Sequence, residues 1–155
     1  MPWTICLARS DGTPLGDAAA VEAAIQLVLP DARFFRNASG QEKAALLPEE
    51  HRETFLKICG HLPATRNGSY EADGFSLEFF LAPDQEVKDI TVDVRGNGNP
   101  LPTLRQLCTR NDWIVRQADG KPIELDAEAA SEWARFVQYR DAAVQQLRSE
   151  DETSE

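Results

Sequence analysis

Histidine occurs only twice in this chain, at His51 and His61, and cysteine only three times, at Cys6, Cys59 and Cys108. That scarcity removes most of the side chains from which metal centres and nucleophilic pairs are built. An odd set of cysteines with no CxxC spacing is not a disulfide framework, and reads as reduced, mostly buried thiols in a cytoplasmic protein. His61 lies close to Cys59 in "CGH", but no second Cys/His pair completes a zinc site, and neighbours within one turn rarely form a nucleophile pair. His51, in "PEEHRE", reads as part of a solvated helix face. Neither a GxSxG elbow nor a GK[ST] phosphate loop is present. The residues therefore predict no enzyme, no metal and no cofactor.

Other shortages narrow the class further. No run approaches the roughly 20 apolar residues of a membrane helix. The start, "MPWTICLARSDG", lacks the basic segment and apolar core of a signal peptide. Positive charge is short: 16 Lys and Arg stand against 26 Asp and Glu, for a net charge of -10. Such a surface repels nucleic acid and attracts a basic protein. The expected partner is thus another protein, with neither nucleic acid nor membrane involved, and the chain itself a monomer or homodimer.

What is present suits one domain of ordinary size, over 1–148, followed by a disordered acidic tail at 149–155. Residues 2–8 alternate as a strand with Trp3, Ile5 and Leu7 on one face. Asp17 caps a helix with Val21, Ala24, Ile25 and Val28 at helical spacing. "ARFFR" is a short strand. Ser39 and Glu42 form a capping box, although 37–47 could equally be a loop. Pro48 suits the first turn of a further helix, with Phe55 and Ile58 inward and Gly60 as its stop.

The middle of the chain is an antiparallel meander. "GSYEADGFSLEFFLA" is a hairpin whose Asp73-Gly74 turn needs positive φ at both residues, pairing Ala72 with Phe75 and Tyr70 with Leu77. Phe79, Leu81, Ile90, Val92 and Val94 continue that apolar face. Period-two geometry sends Ser69, Glu71, Ser76, Glu78, Phe80, Asp89, Thr91, Asp93 and Arg95 to the other face. Four carboxylates around one aromatic make Glu71, Glu78, Phe80, Asp89 and Asp93 the candidate partner-binding residues. As an acid–base pair they would need a concave site, so an exposed polar face is the simpler reading.

A glycine-rich loop follows. Arg95, Gly96, Asn97, Gly98 and Asn99 connect this strand to a helix marked by Leu101, Leu104, Leu107 and Cys108. Strand, glycines and helix occur in the order of a phosphate cradle, which makes an anion site the alternative use. However, Leu101 stands where the dinucleotide pattern wants a third glycine, and Pro100 removes a donor. The strand belongs to an antiparallel meander rather than a βαβ unit. The loop therefore reads as a connector with Asn99 as cap. Downstream, a small hairpin turns at Asp119-Gly120 with Pro122 on its edge. Asp126 caps a long last helix with the stripe Ala130, Trp133, Val137, Val144 and Leu147, and Phe136 on its shoulder. That stripe packs on the sheet or, alternatively, meets a partner.

The expected fold is α+β: a mainly antiparallel sheet, with the three-stranded meander at its centre and helices packed on one face. In size, charge and layout the chain resembles small acidic bacterial immunity proteins. The resemblance implies inhibition of a bacterial toxin by direct binding, and transfers no residue. "VRGNGNPLPTLRQLC" followed by Trp113 is also similar to segments of bacterial α+β proteins. Two alternatives stay open: an acidic secretion chaperone holding an effector segment, or a small ligand- or anion-binding domain using the 95–100 loop.

Overall fold

Residues 2–82, 86–117, 119–125 and 127–153 are described by the structure, a computed structural model. The fold is α+β, with one seven-stranded antiparallel sheet and five helices among these residues. In chain order the elements are β1 (Trp3–Ala8), α1 (Ala18–Val28), β2 (Arg33–Asn37), α2 (Gly40–Ala45), α3 (Glu49–Cys59) and β3 (Thr65–Ala72). Then come β4 (Phe75–Leu81), β5 (Asp89–Gly96), α4 (Leu101–Asn111), β6 (Ile114–Gln117), β7 (Pro122–Ile123) and α5 (Ala127–Thr153).

The meander β3-β4-β5 forms in the expected register, with Ala72 opposite Phe75, Tyr70 opposite Leu77 and Leu77 opposite Val94. Its turn differs from expectation. Gly74 has φ 87°, but Asp73 is not left-handed, so the φ pattern is that of a type II turn and not of type I′. Only the second turn position then requires glycine.

Strand order is β2-β3-β4-β5-β1-β6-β7. β1 is thus antiparallel to both β5 and β6, which leaves β5 and β6 parallel to each other. The meander strand β5 therefore also opens a β5-α4-β6 crossover with β1 inserted in it, a topology the meander pattern alone does not reveal. Pro122 lies on edge strand β7, where its missing N–H costs no ladder bond.

One sheet face carries the core. Ile5, Leu7, Leu77, Phe79, Ile90, Val92 and Val94 are all buried there. Val21 and Ile25 of α1 and Leu104 and Leu107 of α4 cover them, with these two helices side by side. Each such side chain contributes about 1.5–3 kcal/mol on burial. Asp17 starts α1 by accepting the Ala20 N–H at 2.8 Å, as its position before an apolar stripe predicts. The Ser39–Glu42 capping box closes in both directions, so 40–45 is helical and not a loop.

Several expectations fail at the periphery. Ile58 is 66% exposed, because α3 lies against α2 and has no buried residue; Phe55, Leu56 and Cys59 are its half-covered side. Pro48 is the residue before α3, not within its first turn, and Gly60 ends the helix with right-handed φ -62°. In α5, Trp133 is buried and Phe136 and Val137 are half-buried, but Ala130 is exposed, and Val144 and Leu147 are 43% and 64% exposed. At 1.5 Å per residue its 27 residues span roughly 40 Å. The longest strands have eight residues and span roughly 27 Å. The helix outruns the sheet and continues to Thr153, past the point at 149 where composition predicts a disordered tail. Its expected cap, Asp126, lies outside the described residues.

Candidate functional site: the uncovered sheet face

Helices α1, α4 and α5 supply apolar residues to the same side of the sheet. Among the described residues the other side carries no helix in the core, and strand register places its side chains in rows that cross the sheet. One row runs Phe35, Asn67, Phe80, Thr91, Cys6, Arg116 and Pro122, touching every strand once. The adjacent row runs Arg33, Ser69, Glu78, Asp93 and Thr4. Flanking these are Glu71, Ser76 and Arg95 at one end, and Asp89 beside Ala8 and Ile114 at the other.

All five candidate residues read from the sequence project from this face. Glu71 and Asp89 are exposed, Glu78 and Asp93 are half-buried, and Phe80 is 37% exposed. Asp93 accepts a hydrogen bond of 2.8 Å from the Thr4 hydroxyl. Glu78 and Asp93 stand directly opposite each other across β4 and β5. Opposed carboxylates repel, with Cβ atoms only about 4.5–5.5 Å apart. No ion pair with a cation relieves either of them among the described residues.

The structure adds members that the local pattern missed. Phe35 is 52% exposed, two strands from Phe80, with Asn67 between them. Phe35, Asn67, Gly68, Ser69, Glu78 and Phe80 enclose a depression of about 230 Å³. The signal for Phe35 was present in "RFFR", since adjacent strand residues face opposite ways. Phe34 goes in, against Phe79 at 6.0 Å, so Phe35 must go out. Arg33 and Arg116 add positive charge at the two sides of the face, so the acidic character concentrates at its centre and is not uniform.

Cys6 belongs to the long row. Burial raises its thiol pKa first, and the nearby Asp89 carboxylate adds to that, against an opposing effect from Arg116. A neutral thiol is a weak nucleophile. Cys108 is pushed up to about 12 by burial on the inner face of α4. Cys6 and Cys59 are half-buried, not fully enclosed. Among the described residues no three His, Cys, Asp or Glu side chains converge as metal ligands.

The loop at 95–100 is engaged in packing. Arg95 projects from the open sheet face opposite Ser76 and is not part of a ring around the loop. The Gly98 N–H donates to the Gly74 carbonyl at 2.7 Å, and the Leu101 N–H to Asn99 Oδ1 at 3.1 Å. Arg140 of α5 donates to the Gly96 carbonyl at 2.8 Å and to Asn97 Oδ1. Two N–H groups that could have held an anion are therefore taken. The glycines are explained by contact: a Cβ on Gly96 would fall 2.3 Å from the Gly74 oxygen, and one on Gly98 would fall 2.9 Å from the Gly74 carbonyl carbon. Two tight backbone turns press together, with Arg140 fastening α5 across them.

Among the described residues no helix is long and apolar enough to cross a membrane. Comparison of the chain with protein-family models, with curated proteins and with solved structures returned no match.

Proposed function

We propose that this chain is a protein-binding inhibitor that docks a basic protein on its uncovered sheet face, in the manner of an immunity protein that neutralises a bacterial toxin. The observation that carries the reading is the opposed pair Glu78 and Asp93 beside Phe80, on the sheet face turned away from the core. Apposed carboxylates without a cation cost stability in the isolated chain. A cationic partner reverses the sign of that term, and complementary charge also speeds encounter. Phe80 and Phe35 supply the aromatic anchors on which interface energy concentrates. Inhibition then follows from occlusion, which requires no catalytic group on this chain.

The test is rescue in cells. The chain is co-expressed with each neighbouring gene product that arrests growth on its own, and growth is followed; a neighbourhood with no such product would count against the reading. Wild type is expected to restore growth, and a variant carrying Glu78→Lys, Phe80→Ala and Asp93→Lys is expected not to, with an unchanged circular dichroism spectrum. Full rescue by that variant would remove the sheet face from the proposal. Failure of the wild type to bind or rescue would remove toxin inhibition.

A further inference from the structure

We infer that the depression between Phe35 and Phe80 is a slot for a single arginine side chain of the docking protein, stacked between the two rings and paired with Glu78. The inference rests on the docking reading above and names the group that would be captured. Phe35 and Phe80 stand on strands two apart, so their backbone anchors are roughly 10 Å from each other. Asn67 stands between them in the same row, but its side chain is shorter than phenylalanine, so above it two stacking contacts of about 3.5–4 Å each account for most of the gap and admit one planar head group.

The lining selects the occupant. Glu78, Asn67 and Ser69 border the slot, and none of their side chains has a hydrogen-bond or ion-pair partner among the described residues. An aliphatic or aromatic anchor would bury these polar groups unpaired, which opposes binding. A phosphate or carboxylate would meet Glu78 with Asp93 directly behind it. A cation is favoured by both phenyl faces and by the carboxylate. Guanidinium suits better than ammonium, because it is planar, stacks on rings and donates bidentately to a carboxylate while leaving further N–H groups for Asn67 and Ser69. Arg33 is the intramolecular competitor. It lies one row over, opposite Ser69, and makes no ion pair with Glu78 among the described residues.

The experiment is a titration of the ¹⁵N-labelled chain with acetyl-Gly-Arg-Gly-amide, followed by amide and aromatic-ring chemical shifts. Parallel titrations use the citrulline peptide, which is isosteric and uncharged, the lysine peptide and a short single-stranded oligonucleotide. The arginine peptide is expected to bind on the order of millimolar, as befits one side chain, and to move Asn67, Ser69, Glu78 and the rings of Phe35 and Phe80. The citrulline peptide should bind at least about tenfold more weakly, a factor that corresponds to ~1.4 kcal/mol. Glu78→Gln should erase most of the arginine–citrulline difference. Equal binding of citrulline, arginine shifts centred away from these residues, or an oligonucleotide that moves the same residues would each overturn the slot. Because the wild-type chain is probed directly, a misfolded variant cannot imitate that result. If the slot fails while the triple variant still loses its partner, docking stands without it. If the slot binds arginine while the triple variant keeps its partner, docking on this face falls.

Discussion

Replacing Gly96 with alanine separates the two readings of the glycine loop. Gly96 has φ 104°, a conformation that costs a side-chain-bearing residue about 1–3 kcal/mol. The added Cβ would also sit 2.3 Å from the Gly74 oxygen and 2.8 Å from the Phe75 Cα, both backbone atoms with no rotamer to yield. Forced displacement of that kind costs a further 1–3 kcal/mol or so. Together the two effects amount to about 4 kcal/mol, a large share of the roughly 5–15 kcal/mol that holds a domain folded. In thermal unfolding each kcal/mol moves Tm by about 2–4 °C at this chain length, so a drop of about 8–16 °C is expected. Gly12→Ala is the internal control. Gly12 has φ 76° with nothing within 4 Å of its added Cβ, so it reports conformational strain alone. The pair should be compared by urea denaturation at matched m-values and by thermal melting. A Gly96→Ala chain that loses no more stability than Gly12→Ala would refute the packed-turn account and return the loop to the phosphate-cradle reading.

Two further outcomes follow from burial. The Cys108 pKa lies above its unfolded value, so its contribution is complete below about pH 9 and declines as pH rises toward 12, where the unfolded chain has already lost that proton. The full shift from 9.0 to about 12 corresponds to at most about 4 kcal/mol. Urea midpoints at pH 8 and pH 10.5 should therefore fall more steeply for wild type than for Cys108→Ala, and parallel slopes would contradict the assignment. Deleting residues 142–155 removes the part of α5 beyond the sheet, so Tm should change by less than about 2 °C while helical ellipticity falls. A loss above about 5 °C would show that Val144 and Leu147 pack on the domain.

The elements legible in the sequence were those whose cause is local. The Asp17 cap, the Ser39–Glu42 box, the register of the β3-β4 hairpin and the inward row Leu77, Phe79, Val92 and Val94 each depend on neighbours a few residues away. For the same reason the outward set Glu71, Glu78, Phe80, Asp89 and Asp93 was readable, since alternation along a paired strand fixes both faces at once. Errors clustered where burial depends on distant elements. Ile58 and Leu147 share the helical spacing of buried residues, and only the placement of α3 against α2 and the reach of the sheet under α5 decide whether anything lies opposite them.

The sequence by itself determined the class of fold, the central meander, the capping of its first helices and an acidic outward face, because backbone sterics and period-two or period-3.6 patterning act within short windows. Only the tertiary structure decided the strand order that inserts β1 between β5 and β6. That pairing brings Thr4 to Asp93, and the β2-β3-β4 ladder sets Phe35 and Phe80 on either side of Asn67. It also explains the glycines of "RGNGNP" as room for the Gly74 turn. These are contacts between residues far apart in the chain. They follow from the joint minimum of all strand pairings and not from any one segment's preference.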